Sequence, residues 1–169
     1  MALKMNDPLV RDFIVANAGD DSYKVMRSLA KGGLTDEGIS KLTKFDVNRI
    51  RAALNKLHYL GIIIYTKEKA TDSNWYTYTW YVKKERALEL LNERYQEKLR
   101  GLEKQLDFEE SYVFFKCSRG CEKLPFELAF EYDFKCSECG SVMDQMDNKK
   151  EKQGIQKQIK QINDFLKGS

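Results

Sequence analysis

Four cysteines constrain this 169-residue chain more than any other feature of its sequence. They form a C-x3-C pair and, after fourteen further residues, a C-x2-C pair: Cys117 with Cys121, and Cys136 with Cys139. Four thiolates around one tetrahedral ion require two short loops that each direct two sulfurs inward, and this spacing supplies both loops. Two disulfides or four unrelated core thiols are the alternatives, but cytosolic thiols stay reduced and nothing in the sequence indicates secretion. We therefore expect one zinc ion per chain.

The expected zinc ion is structural, because all four ligand positions are cysteine and none remains for water or substrate. The chain's only histidine, His58, is distant in the sequence. The segment 108–147 is too short to bury an adequate core, so metal binding should drive its folding. Gly120 and Gly140 stand where the two metal-binding loops must turn with positive φ, which glycine adopts without steric cost.

The segment between the cysteine pairs can be read in two ways. Apolar residues alternate with polar ones from Phe126 to Phe134, which predicts a half-buried strand. Pro125 permits a helical turn instead. With the segments 112–116 and 142–145 on either side, the region 108–147 predicts a small antiparallel zinc ribbon.

The net charge of +3 conceals an uneven distribution. Residues 1–84 carry 14 basic and 9 acidic side chains, whereas residues 117–147 carry 3 basic and 7 acidic ones. Residues 148–169 carry 6 basic and 2 acidic side chains. Basic ends favour nucleic acid and an acidic ribbon favours a basic protein surface, although ordinary solvated surfaces show similar imbalances. No signal peptide or long apolar span is evident, so we expect a soluble intracellular protein without a membrane partner.

The first 84 residues predict a separate domain of four helices and two strands. Asp7, Thr35 and Asp46 are typical helix N-caps, and apolar residues then recur every three or four positions. The expected helices cover about 8–18, 22–31, 36–43 and 47–60. In the third helix, Ile39 and Leu42 are expected to face the core. Two strands follow, at 62–65 and 75–82, joined by a polar loop from Lys67 to Asn74. Helix, turn, helix and a two-stranded wing form a winged helix.

Two surfaces of this domain are candidates for binding nucleic acid. The fourth helix occupies the recognition position, and three of its outward cations could meet phosphates: Arg49, Arg51 and Lys56. Many winged helices bind protein instead. The second strand of the wing carries five aromatic residues within 75–81, more than one buried face requires. Trp75, Tyr76 and Tyr78 beside Lys67 and Lys69 suit stacking on unpaired bases, or the strand packs between the wing and a helix.

A long amphipathic helix is expected at 85–107, with leucines and a tyrosine spaced by three or four residues. It would connect the winged helix to the ribbon as a semi-rigid spacer, or pair with another helix. The tail at 148–169 repeats this pattern more weakly and should be a basic amphipathic helix or disordered. The predicted fold class is therefore α+β: winged helix, connecting helix, zinc ribbon and tail.

This arrangement resembles archaeal transcription factor E, the counterpart of the alpha subunit of eukaryotic general factor IIE. The resemblance covers about residues 7–147 and is carried by three stretches: WYTYTW at 75–80, FELAF at 126–130 and FKCSECG at 134–140. The sequence departs from the family in its first cysteine pair, which has three intervening residues where two are common. No long acidic extension follows the ribbon, which is typical of archaeal members.

The resemblance implies a basal factor, not an enzyme, that joins RNA polymerase near its clamp and stalk and helps to melt promoter DNA or hold the open complex. TATA-binding protein, promoter DNA and a second subunit of the factor are the further partners it implies, and the archaeal cytoplasm is the location. The residues agree, since no phosphate loop, catalytic set or open metal site is present and no small-molecule substrate is indicated. A sequence-specific winged-helix regulator with a metal- or redox-sensing ribbon is the alternative, and a subunit of a nucleic-acid-processing enzyme is a third hypothesis.

Overall fold

A computed structural model describes residues 3–69 and 75–168 of the chain. The predicted loop at 67–74 falls largely outside these residues. The helices are α1 Pro8–Ala18, α2 Asp20–Ser28, α3 Asp36–Thr43, α4 Val47–Tyr59, α5 Lys84–Ser111, α6 Phe126–Glu131 and α7 Lys149–Gly168. The strands are β1 Ile63–Lys69, β2 Tyr76–Val82, β3 Phe114–Cys117, β4 Lys123–Pro125 and β5 Met143–Met146.

The chain divides into two units, one of Met1–Arg94 with Phe165–Ser169 and one of Tyr95–Asp164. The first contains the winged helix and the second contains the four cysteines. The described residues contain no helix with the length and apolar character needed to cross a membrane.

Side-chain caps define the helices of the winged-helix unit. The Asp7 carboxylate accepts from the backbone N–H of Leu9 at 2.9 Å, and the Asp46 carboxylate accepts from the N–H of Arg49 at 3.0 Å. The Thr35 hydroxyl accepts a hydrogen bond from the backbone N–H of Gly38 at 3.2 Å. All three predicted N-caps are confirmed, and such caps are typically worth about 1 kcal/mol each. The second helix begins at Asp20, two residues before the predicted start, directly after Gly19 at φ 90°.

The core of this unit lies among α1, α2, α3 and α4. Fully buried side chains line it, including those of Val10, Ile14, Val25, Met26, Ile39, Ile50, Leu54 and Leu57. The prediction that Leu42 faces the core is wrong, because its side chain is 64% exposed. Leu42 lies in the last turn of α3, on the rim of a cleft, and not over the core that Ile39 enters.

The wing is an antiparallel pair whose register runs from Ile63 opposite Val82 to Lys69 opposite Tyr76. Lys67 and Lys69 therefore lie in β1, not in the loop where the sequence placed them. Leu34 forms an isolated antiparallel β-bridge with Trp80 through two backbone hydrogen bonds of 2.9 and 3.1 Å. The wing is thereby fastened to the turn before α3, and the winged helix is confirmed.

In the second unit, β4, β3 and β5 form an antiparallel sheet in that order. The predicted strand at 126–134 is wrong, and the helical alternative is correct. Pro125 ends β4 and, at φ −64° and ψ 159°, caps α6. Asp133 and Phe134 then adopt positive φ of 50° and 53°, which reverses the chain toward the second cysteine pair. The alternation of apolar and polar residues led to a wrong strand prediction here because α6 is short and only Ala129 in it is fully buried.

The first of the two long helices extends beyond its expected limits, and the second lies within the predicted tail. α5 continues four residues past 107, to Ser111, so it reaches the first strand of the sheet. Leu88, Leu91 and Tyr95 on its apolar stripe are buried, as the spacing predicted. The tail forms the single helix α7, in which Ile155 and Ile162 are buried.

Candidate metal centre and nucleic-acid surface

The four cysteine sulfurs converge on one point. They all lie within 4.8 Å of one another, and those of Cys117 and Cys139 are 3.5 Å apart. Four sulfurs bound tetrahedrally to one zinc ion at about 2.3 Å would lie about 3.8 Å apart, so the group has the size of a closed four-thiolate site. Cys117 and Cys136 are buried, and Cys121 is exposed. No fifth group is needed, and the arrangement suits a structural ion.

Each cysteine pair lies in a tight turn. Gly120, at φ 79°, donates its N–H to the carbonyl of Cys117 at 2.8 Å, and Gly140, at φ 68°, donates to the carbonyl of Cys136 at 2.8 Å. The N–H of Arg119 points at the Cys117 sulfur at 3.3 Å, as expected of a thiolate ligand. The extra residue in the first pair is accommodated without loss of this geometry.

The thiols differ in their readiness to ionise. Hydrogen bonds from Ser141 lower the pKa of Cys139 to about 6, whereas burial raises the pKa of Cys136 to about 12. Hydrogen bonding to Cys139 also raises the pKa of Cys121. A buried thiol of this kind becomes a thiolate at neutral pH when a cation compensates the charge. The donor set therefore matches a soft, thiolate-binding metal.

Two carboxylates form hydrogen bonds that connect the segments around the metal centre. Glu122 accepts from the N–H of Ser137 at 2.7 Å and from its hydroxyl at 3.0 Å, which links the two metal-binding loops. Glu109, near the end of α5, accepts two bonds from Lys123 at 2.7 and 2.9 Å. The side chain of Asn148, just before α7, donates to Glu109 at 2.7 Å. Both helices are thereby joined to the sheet that carries Cys117.

Two of the three candidate phosphate contacts on α4 already form ion pairs with carboxylates. Arg49 forms a bidentate ion pair with Asp21, and its guanidinium lies 4.0 Å from the ring centre of Phe45. Hydrogen bonding to Arg49 lowers the pKa of Asp21, so this carboxylate remains charged. Arg51 bonds Asp36 at 3.0 Å. Of the three predicted residues, only Lys56 is an exposed cation without a described ion pair.

One face of the wing is lined by aromatic rings and lysines. We call it the aromatic face, and it comprises Tyr65, Lys67, Lys69, Tyr76, Tyr78 and Trp80, which strand alternation places on one side of the sheet. Ring centres of Tyr65 and Tyr78 are 5.3 Å apart, and those of Tyr65 and Trp80 are 5.1 Å apart. The Lys67 ammonium lies 3.8 Å from the ring centre of Tyr76. Tyr65, Tyr76 and Tyr78 remain 40%, 48% and 39% exposed.

The inner end of the aromatic face is fixed to the helices. The Trp80 indole N–H donates to Asp36 at 3.1 Å, the carboxylate that also accepts from Arg51. On the opposite face, the Tyr81 ring contacts Gly33 so closely that an added Cβ would lie 2.2 Å from it. Packing of the strand against the helical domain therefore explains Trp80 and Tyr81, but not Tyr76 and Tyr78.

The structure thus brings together only part of the predicted nucleic-acid set. Tyr76, Tyr78, Lys67 and Lys69 share the aromatic face. Trp75 precedes β2 and is 80% exposed. Arg49, Arg51 and Lys56 lie on α4 outside the aromatic face, although Arg51 shares the Asp36 carboxylate with Trp80. Sequence reasoning missed Tyr65, Trp80 and His58, whose ring centre is 5.7 Å from that of Tyr65. The two-residue period of a strand would have placed Trp80 on the same face as Tyr76 and Tyr78, whereas the position of Tyr65 opposite Trp80 depends on the strand register.

The chain is similar to several known proteins. A family model described as the TFIIE alpha subunit matches residues 8–111. Transcription factor E of Methanobrevibacter smithii is 34% identical over 96% of this chain and 91% of that protein. Transcription factor E of Methanocaldococcus jannaschii is 32% identical over 98% of this chain and 97% of that protein. A solved structure titled possible transcriptional regulator, from Methanosarcina mazei Go1, aligns with a TM-score of 0.48 at 21% identity, over 58% of this chain and 86% of that one.

Proposed function

Because the chain belongs to the family of the TFIIE alpha subunit and transcription factor E, we propose that it is a basal factor that joins RNA polymerase at promoters and favours the open complex. Members of this family are transcription factors, not catalytic enzymes. The proposed setting is the archaeal cytoplasm, with TATA-binding protein and promoter DNA in the same assembly. The polymerase clamp and stalk and a second subunit of the factor are the proposed protein contacts.

The aromatic face is the observation that carries this proposal. Stacking an unpaired base on an aromatic side chain is worth about 1–3 kcal/mol and does not depend on sequence. Duplex DNA cannot offer a base face, so this free energy is gained only after melting and shifts the closed-to-open equilibrium. Tyr76 and Tyr78 are exposed for such stacking, and Lys67 and Lys69 beside them can neutralise phosphate.

The state of α4 supports this role for the wing. Binding a phosphate through Arg49 or Arg51 would require breaking an existing carboxylate pair. Duplex binding by this helix should therefore be weak, salt-sensitive and nearly indifferent to sequence. Two of the three cations predicted to meet DNA on α4, Arg49 and Arg51, are held by carboxylates, which supports the basal factor over a sequence-specific regulator.

The metal centre has the proposed role of shaping the ribbon, with Cys117, Cys121, Cys136 and Cys139 holding one zinc ion. Zinc fits the closed four-thiolate set, and it supplies folding free energy without catalysis. We propose that residues 108–147 form the ribbon, that 1–84 form the winged helix and that 85–107 connect them, with 148–169 as the tail. The acidic ribbon would contact a basic protein surface of the transcription machinery.

Promoter melting tests the proposal directly. Permanganate reactivity of thymines is measured in reconstituted initiation complexes with the parent chain, with Tyr76→Ala plus Tyr78→Ala, and with Thr77→Ala plus Thr79→Ala. The threonines alternate with the tyrosines in β2, so they supply a matched control on the other face. We expect the tyrosine variant to recruit normally but to yield fewer reactive thymines, most clearly at low temperature. Equal melting by all three proteins would contradict the proposal.

Substitutions at the other residues predicted from the sequence to bind DNA are tested in the same melting assay. Trp75→Ala and Lys67→Ala plus Lys69→Ala should each weaken melting less than loss of both tyrosines, because Trp75 precedes the strand and the lysines supply only phosphate contacts. Arg49→Ala, Arg51→Ala and Lys56→Ala should leave melting close to that of the parent. A larger loss from the arginines than from the tyrosines would transfer the role to α4.

A further inference from the structure

A cleft in the winged-helix unit lies away from the aromatic face. It has a volume of about 600 Å³ and is bounded by the segment before α1, the end of α2 with the turn after it, and the end of α3. Its walls carry three apolar side chains, Met5, Ala30 and Leu42, and three cations, Lys24, Arg27 and Lys31. This volume is typical of a ligand site, although the cleft is open to solvent.

The apolar part of the cleft is already formed. The hydroxyl of the buried Tyr23 donates to the carbonyl of Met5 at 2.9 Å, which fixes the segment before α1. Leu42 has the helical spacing of a core residue, yet it stands at the rim with 64% of its surface exposed. The hydroxyls of Ser28 and Thr43 are bonded to carbonyls of their own helices, so they add little polarity. A partner can therefore gain free energy by covering Leu42, whereas Met5 is already buried.

The charged part of the cleft has one sign. No carboxylate is found among the described residues that line it. Lys24 is paired with Asp20 at 2.7 Å. Arg27 and Lys31 are exposed and have no ion-pair partner within residues 3–69 and 75–168. Carboxylates of a partner would meet two uncompensated cations here.

We infer that this cleft is a docking site for an acidic segment of a protein partner that inserts an aliphatic side chain against Met5 and Leu42. Nucleic acid could satisfy the cations, but a phosphate backbone offers no apolar group to cover the leucine. A protein segment with an aliphatic residue flanked by Asp or Glu satisfies both halves of the cleft. This cleft is a different surface from the aromatic face of the wing, and its test does not depend on the stacking proposed there.

Peptide titrations of the full chain, followed by backbone amide shifts in NMR, test the inference. The probe is a 14-residue peptide with one central leucine between glutamates, and two control peptides replace the leucine by serine or the glutamates by lysines. We expect shifts confined to residues 5–6, 24–31 and 42–43. Leu42→Ser should weaken binding about fivefold, and Arg27→Glu plus Lys31→Glu should weaken it at least tenfold. Lys83→Glu, an exposed charge reversal elsewhere in the unit, should leave the affinity unchanged.

Three results would overturn the inference. The first is the absence of shifts at the cleft with the acidic leucine peptide at millimolar concentration. The second is equal affinity for the three peptides, which would show that neither charge nor the aliphatic anchor is recognised. The third is tighter binding at the same residues by a single-stranded or duplex oligonucleotide, which would make the cleft a nucleic-acid site. Because Leu42, Arg27 and Lys31 are exposed, the variants should fold, and their amide spectra verify this.

Discussion

The winged-helix unit and the ribbon unit are stabilised in different ways. The first has a continuous apolar core in which side chains such as Ile14, Met26 and Ile50 have no exposed surface. At the centre of the ribbon, Cys117, Cys136 and Met143 are packed with only half-buried neighbours, among them Phe115 and Leu124. Aromatic residues of α6 remain open, with Phe130 63% exposed. We therefore expect this small unit to depend on a bound metal for its folding, and the winged helix to fold without one.

Metal removal should produce the largest effect. A structural zinc ion contributes about 10–16 kcal/mol of apparent free energy, more than the ribbon's small core can replace. We expect chelation, or Cys136→Ser, to abolish amide dispersion for residues 114–146 and to leave residues 8–69 unchanged. Ser118→Ala is the matched control in the same loop. A folded ribbon in metal-free protein would contradict the claim that the ribbon depends on its metal. An elemental analysis that finds less than one zinc ion per chain would also contradict it.

A core substitution in the winged helix should destabilise that unit and leave the ribbon folded. Ile50→Ala removes a fully buried side chain from α4 and should cost about 2–5 kcal/mol. Both tryptophans, Trp75 and Trp80, belong to the winged-helix unit, so their fluorescence reports its denaturation alone. Ile64→Ala, at a position 49% exposed, should cost much less. Loss of metal from the Ile50→Ala protein under native conditions would show that the units are not independent.

The ion pair beside the metal centre should have a smaller effect. Burial raises the pKa of Glu109, but hydrogen bonds from Lys123 and Asn148 outweigh it, and the pKa lies below its ordinary value. Its contribution is therefore complete above the unfolded-state pKa and is lost as pH falls through the folded-state value. Glu109→Gln should destabilise the ribbon unit by about 1–3 kcal/mol at neutral pH and by less in acid. Denaturant unfolding of this unit, from pH 7 down to the lowest pH at which the metal stays bound, measures the difference between the parent and the variant, and a pH-independent difference would contradict the prediction.

The arginine pair on α4 should have the smallest effect. Arg49 and Asp21 are both exposed, with 48% and 37% of their side-chain surfaces accessible, so their pair should contribute little to stability and be screened by salt. A double-mutant cycle with Arg49→Ala and Asp21→Ala measures the coupling. Because the pair occupies Arg49, we expect Asp21→Ala to strengthen duplex binding slightly. A loss of duplex binding in that variant would show that Asp21 positions Arg49 for phosphate.

Sequence reasoning succeeded where the physics is local. Caps such as Asp46, glycine turns such as Gly120 and the cysteine spacing each depend on a few neighbouring residues. It failed at α6, where apolar alternation suggested a strand and a proline with a tight turn determined a helix. It also failed for Leu42 and for Arg49, because exposure and ion pairing depend on which distant segments come together. The aromatic face required the strand register, which sequence alone did not supply.

The central claim is that the aromatic face gives the winged helix a preference for unpaired DNA. The most direct measurement is the ratio of affinities for a single-stranded and a duplex oligonucleotide of equal length and salt, for the parent chain and for Tyr76→Ala plus Tyr78→Ala. Loss of about 1–3 kcal/mol of stacking per base predicts that single-strand affinity falls at least fivefold while duplex affinity hardly changes. If both affinities fall equally, or neither does, the aromatic face does not distinguish melted DNA from duplex and the account is wrong.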